Sequence, residues 1–251
     1  MMTTTTPTTQ FSTVDPTIDP SELSAPARWR VAVRALARVL KNPVETDQVL
    51  VFSNYANAGT NAERIERFFE DPRGMRLFTE QRAIDSHTID LDALYALPSG
   101  TLGHAYASFM KRHGLTPDVF DGSPPDVHDP RRAYVIQRMR QTHDLWHVVT
   151  NCETDPAGEV ALQAFTWAQV NAPSAGILAA LGMLKTLRHD RRIVKDVAEL
   201  IRLGRAADRL VVFPWEDHWA TPLTEVRRLL KLPVSPRSVG GYTKGAFEAA
   251  A

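Results

Sequence analysis

The chain has 251 residues, 43% hydrophobic and 23% charged, the composition of a globular protein with room for one domain and a sizeable core. Its 29 basic and 29 acidic side chains cancel, so no net field draws it to nucleic acid and no such partner is expected. The single cysteine, Cys152, excludes an internal disulfide framework and fits a reducing compartment, and no run of 18 apolar residues is present to span a bilayer.

Residues 1–23 form a Thr/Pro-rich arm, and the first 25 residues contain no Lys or Arg. That pattern has neither the basic start and apolar centre of a secretory signal nor the arginines of a mitochondrial presequence. It predicts a disordered arm on a bacterial cytosolic chain. A helix follows over 26–41, with Pro26 in its first turn. Trp29, Val33, Leu36 and Leu40 recur at helical spacing and are expected to face inward. Arg28, Arg30, Arg34, Arg38 and Lys41 then form a basic outer face, for solvent or anionic lipid headgroups.

From about 44 to 119 the pattern is of short helices, broken at Gly59, at Asp71-Pro72-Arg73-Gly74 and at Leu97-Pro98-Ser99-Gly100. No sustained period-two alternation appears, which argues against a sheet. The proline-rich stretch 117–130 reads as a loop. A long helix is predicted over 131–150, then a turn from Asn151 to Asp155. Asp155 is placed to cap a helix that opens with Pro156 and runs to about Val170. Further helices are predicted near 173–189, 191–210 and 217–231. The fold class is all-α, a single-domain helical bundle over 24–232, followed by a mobile tail, 233–251, that contains Gly240-Gly241.

Chemistry concentrates in YVIQRMRQTHDLWHVVTNCETDPAGEVALQAF. His143 and His147 stand four apart, one turn from each other on one helix face, a spacing that lets two imidazoles reach one ion. Asp144 adds a carboxylate at the same edge. Glu159, twelve residues beyond His147, returns to the histidine level if the two consecutive helices pack antiparallel. Such a mixed N/O set suits zinc, iron, manganese or cobalt better than calcium. The same residues also admit a plainer reading, as hydrogen-bonded core histidines and an acid favoured by the helix macrodipole. Cys152, close by, reads as a small buried hydrophobe more readily than as a ligand.

The motif HDLWH–VVTNCETDPAG–E resembles the signature of the family usually called ubiquinone biosynthesis protein four. LPSGTLGHAYASFM (97–110), YVIQRMRQTHDLWH, and Trp219, Leu223, Val226 and Arg227 are similar to further elements of that family, so the resemblance spans about 45–232. It implies a helical, membrane-associated protein that binds a divalent metal, zinc or iron, through His143, Asp144, His147 and Glu159. The implied activity is oxidative decarboxylation and hydroxylation of a ring carbon of a polyprenylated hydroxybenzoate-type precursor, with Asp144 and Glu159 in ligand or proton-transfer roles. The implied partners are that precursor, other ubiquinone-biosynthesis enzymes, the inner face of the cell membrane and a second copy of the chain. Ala172 to Leu187, apolar and rich in small residues, is expected to line a channel for the polyprenyl tail.

Two alternatives are open at this point. One is a non-catalytic metal- and lipid-binding scaffold that gathers quinone-biosynthesis enzymes. The other is a metal phosphohydrolase built on the His-Asp pair, with His104 and Asp190 or Asp208 recruited to it.

Overall fold

A computed structural model describes residues 18–41, 46–117, 127 and 129–241. Eleven α-helices occur in it: α1 (Ala25–Lys41), α2 (Thr46–Asn57), α3 (Asn61–Glu70), α4 (Pro72–Thr79), α5 (Leu91–Tyr95), α6 (Leu102–His113), α7 (Pro130–Thr150), α8 (Pro156–Val170), α9 (Pro173–Thr186), α10 (Arg192–Ala206) and α11 (Leu223–Leu229). No strand forms among the described residues, and two isolated bridges are the extent of β pairing there. The all-α, single-domain expectation is met. The breaks fall where Gly and Pro placed them. Asp71 caps α4 through Arg73 N, with Pro72 in its first turn, and Asp155 caps α8 with Pro156 in its first turn.

α7 is the axis of the main core. It packs on α6, α3, α11 and α8, burying Val135, Leu145, Trp146 and Val149. Its N-terminus is capped by Asp129, and it ends at Asn151 in the left-handed conformation (φ 58°). α8 lies on α9 and α10. The small residues of α9 serve that contact. A Cβ on Gly182 would lie 2.3 Å from Val160 Cγ2, so the expected channel along 172–187 is filled by α8.

Four further expectations need correcting. α1 buries Ala32 and Ala35, leaving Trp29, Val33 and Leu40 exposed. The alanine face lets α2 approach closely, so the large apolar residues point outward beside the basic ones. The arm is fixed before Ser24: Asp19 and Arg132 form a buried ion pair at 2.6 Å, while residues 1–17 lie outside the described residues. The tail does not hang free at its start. Val239 is 2% exposed and pairs with Cys152; residues 242–251 lie outside the described residues, as does most of the predicted 117–130 loop. The closing helix is also shorter than predicted, α11 being preceded by a 3-10 turn at Trp215–His218.

Candidate metal centre

The Asn151–Asp155 turn brings the start of α8 back beside the end of α7, and with it the predicted residues. His143, Asp144 and His147 each offer a ligand atom within 4.8 Å of one another. The Glu159 carboxylate faces both rings, with Oε1 3.2 Å from His147 Nε2 and Oε2 3.8 Å from His143 Nε2. Glu159 is in the first turn of α8, its N–H bonded to the Asp155 carbonyl at 2.9 Å, while Asp155 Oδ1 accepts from Gly158 N at 3.1 Å. The cap therefore sets where Glu159 stands.

The orientation of His147 is dictated from behind. Its ring is 1% exposed, stacks on Phe109 at 5.5 Å and meets the His143 ring edge-on at 4.9 Å. Its Nδ1 lies 3.0 Å from the Cys152 carbonyl oxygen. A carbonyl only accepts, so Nδ1 carries the hydrogen and Nε2 of the neutral ring is a lone pair. That lone pair points at a carboxylate oxygen, an arrangement that requires a proton or a cation between them. Two ligand bonds of ~2.1 Å at the tetrahedral angle separate the ligand atoms by about 3.4 Å. The observed 3.2 and 3.8 Å bracket that value, so each histidine–Glu159 spacing is compatible with a shared ion, although the ligand atoms that lie within 4.8 Å of one another are those of His143, Asp144 and His147. A backbone carbonyl behind a histidine is also the usual partner of a metal-bound imidazole.

In the protein alone, charge is divided unequally among the four. Burial opposes ionisation of Glu159, but the neighbouring His147 and the hydrogen bonds from both rings outweigh it and hold the carboxyl well below the usual range. Burial likewise opposes the charged form of His143, and Glu159 overcomes it, raising the ring above its ordinary value. Burial pushes Asp144 up, only partly offset by the two imidazoles. The site nevertheless opens to one side, with 39% of the Glu159 side chain and 27% of His143 exposed. Cys152 lies outside the group of His143, Asp144 and His147; burial pushes its thiol up to about 12, and its carbonyl is the group that meets His147.

One neighbour escaped the sequence reading. His113, at the end of α6, bonds Thr154 Oγ1 through Nδ1 at 3.1 Å and packs on Phe109 at 4.7 Å. Its position in the aromatic helix preceding the loop was the available signal. The residues a phosphohydrolase would recruit are elsewhere. His104 stacks on Tyr95, Asp190 pairs with Arg192 and Asp208 with Arg73. Beside α7, a recess of about 440 Å³ is floored by Phe68, Val135, Met139 and Val170, with Arg64 and Arg205 among its walls. Met139 lies one turn before His143.

Fold and site together define a helical protein with a histidine–carboxylate centre suited to a divalent cation between two consecutive helices. Residues 20–236 match the family described as coenzyme Q (ubiquinone) biosynthesis protein Coq4, and the chain belongs to that family. It is 33% identical to a ubiquinone biosynthesis protein COQ4 homolog of Danio rerio over 83% of this chain and 78% of that one. It is 28% identical to the COQ4 protein of Coprinopsis cinerea over 75% of this chain, spanning 65% of that relative's length. Both relatives carry the designation mitochondrial. The crystal structure of a protein from Nostoc punctiforme assigned to ubiquinone biosynthesis superposes with a TM-score of 0.67 at 26% identity, over 80% of this chain and 96% of that one.

Proposed function

We propose that the protein acts in ubiquinone biosynthesis, removing the ring carboxylate of a polyprenylated hydroxybenzoate-type precursor and placing a hydroxyl at that carbon. The observation that carries this reading is His147 Nε2 facing Glu159 Oε1 at 3.2 Å, with His143 and Asp144 beside it. His143, Asp144, His147 and Glu159 would hold a divalent ion, zinc or iron. When bound, the ion would supply Lewis acidity toward the phenolic and carboxylate oxygens of the ring. Replacing carboxylate by hydroxyl removes two electrons from the precursor; with dioxygen as the two-electron acceptor the step balances as ArCO2H + O2 + H2O → ArOH + CO2 + H2O2, the ring–carboxyl bond breaking as the ring–oxygen bond forms.

The chain's own groups divide the remaining work. The carboxyl of Glu159, held below its usual range, serves as ligand, whereas Asp144, pushed up by burial, is the carboxyl better suited to moving a proton. The exposed side of the site admits the ring. The recess beside α7, where Val135 and Met139 meet Arg64, Arg67, Arg205 and Arg209, offers apolar surface edged by cations for part of the precursor. No described helix is long and apolar enough to cross a membrane, so a lipid-borne precursor is met at the surface. α1 supports such docking: exposed Trp29, Val33 and Leu40 run beside Arg30, Arg34, Arg38 and Lys41 with no acidic residue in the helix.

The test is complementation of a strain that lacks ring decarboxylation and accumulates carboxylated polyprenyl intermediates. The wild-type chain should convert them. Folded Glu159→Gln, which keeps the size but removes the charge, should not. Normal quinone production by that variant would replace the catalytic reading with the scaffold, whose surfaces gather other biosynthetic enzymes.

A further inference from the structure

Residues 236–240 run back across the turn that joins the two ligand-bearing helices. Val239 N–H donates to the Asn151 carbonyl at 3.0 Å, and Glu153 N–H donates to the Val239 carbonyl at 2.8 Å. These bonds bracket Cys152 on both sides. Cys152 lies past the left-handed residue that ends α7, where no helical bond orients its carbonyl. That carbonyl is the one which accepts from His147 Nδ1 at 3.0 Å.

The next residue reaches the other ligand's support. Gly240 has φ +101°, and a Cβ there would lie 2.2 Å from Asp155 Oδ1 and 3.0 Å from Gly158 N. Its backbone is seated on the cap of α8, four residues before Glu159. Anchors on both sides hold the segment down. Arg237 pairs with the buried Asp196 and, at 2.8 Å, with Glu199 on α10. Asn151 Nδ2 donates to the Pro236 carbonyl at 3.2 Å, Ser238 Oγ to Glu153 Oε1 at 3.0 Å, and Arg227 Nη1 to the Val234 carbonyl at 3.2 Å. Arg227 also donates to the Val148 and Val149 carbonyls at the end of α7, each at 3.0 Å.

We propose that residues 237–240 are a strap that positions both ligand-bearing helices, orienting His147 through the Cys152 carbonyl and Glu159 through the Asp155 cap. The family match ends at residue 236, so the strap lies beyond the matched stretch. The assignment rests on the metal-ligand reading only for what His147 and Glu159 hold; the orientation of the imidazole is independent of it.

The experiment compares the full chain with a chain ended after Pro236 and with Val239→Pro, which keeps the carbonyl but removes the N–H bonded to Asn151. Two quantities are read: zinc affinity by calorimetric titration, and the His147 tautomer by ¹⁵N NMR, with His147→Gln giving the assignment. Both variants should bind zinc tenfold to a hundredfold more weakly, the usual effect of losing a partner behind a ligand. Both should also lose the preference for the Nδ1–H tautomer while keeping the far-ultraviolet helix signal. Wild-type affinity and tautomer in both variants would overturn the strap. If the full chain takes up no zinc, the ligand reading falls, and the tautomer alone decides: retained, it overturns the strap; lost, it supports it. If truncation costs the helix signal, Val239→Pro decides by the same two readings.

Discussion

Two neighbouring stretches of α7, at Arg138 and at His143 and His147, place polar side chains in opposite ways. Arg138 is fully enclosed, and every strong bond it makes ends on a complementary group. Both Nη atoms donate to the Glu216 carboxylate, and Nη2 also donates to the Phe213 carbonyl at 3.1 Å. At His143 and His147 two imidazole nitrogens face one carboxylate, and one side stays open. The first arrangement pairs opposite charges within the protein, leaving only Arg138 Nε without a hydrogen-bond acceptor, and belongs to the fold. The second is incomplete without a proton or cation between nitrogen and oxygen.

The largest effect should come from breaking the closed arrangement. Arg138→Ala leaves Glu216 buried without a partner and should cost about 3–5 kcal/mol in denaturant unfolding, whereas Arg138→Met with Glu216→Leu should recover most of it. If Arg138→Ala unfolds like the wild type, the two positions do not differ as described.

Breaking the open arrangement should do the converse. His147→Ala, and separately His143→Ala, should abolish stoichiometric metal in elemental analysis while leaving helix content nearly intact, because Leu145, Trp146 and Val149 hold α7 by apolar packing. Full retention of metal in both variants would remove the centre.

A third measurement separates protons from metal at the same atoms. With metal withheld, Glu159 is held below its ordinary 4.5, so its contribution to stability is present above that value and is lost as pH falls further. His143 is raised above its ordinary 6.5, so its contribution is complete below 6.5 and is lost as pH rises through the raised value. The metal-free melting temperature should therefore be highest between these limits. Zinc competes with the His143 proton, so its affinity should fall by up to about tenfold per pH unit below the raised value. A zinc affinity flat from pH 8 to 6 would contradict this.

The smallest effect concerns α1, whose polar groups face water. Arg30→Gln and Arg34→Gln should each weaken binding to anionic vesicles roughly fivefold, from ~1 kcal/mol per basic residue, without changing metal content. Trp29 fluorescence on vesicle titration reports it, and equal binding by the wild type and the double variant would take the basic stripe out of the account.

Much of the centre was legible because the signals were local. The four-residue histidine spacing, the Asp155-Pro156 helix start and the return of Glu159 all follow from helical period and capping. What was missed depended on distant partners. Nothing within 26–41 says that α2 will come close enough to prefer Ala32 and Ala35 to Trp29 and Leu40. His113 approaches the centre through Thr154, 41 residues away. The residues after 232 read as loose because they hold on by main-chain pairing and by Arg237, neither of which leaves an apolar pattern.

Cys152 shows where such reasoning has its blind spot. Its thiol is buried and inert, while its carbonyl aims the imidazole of His147. Any small apolar residue offers the same carbonyl, so a collection of variants scored by side chain would class this position as freely interchangeable. A contribution made by the peptide group leaves no letter of its own in the sequence; only backbone changes, such as an ester replacing the amide or a shift in turn length, would expose it.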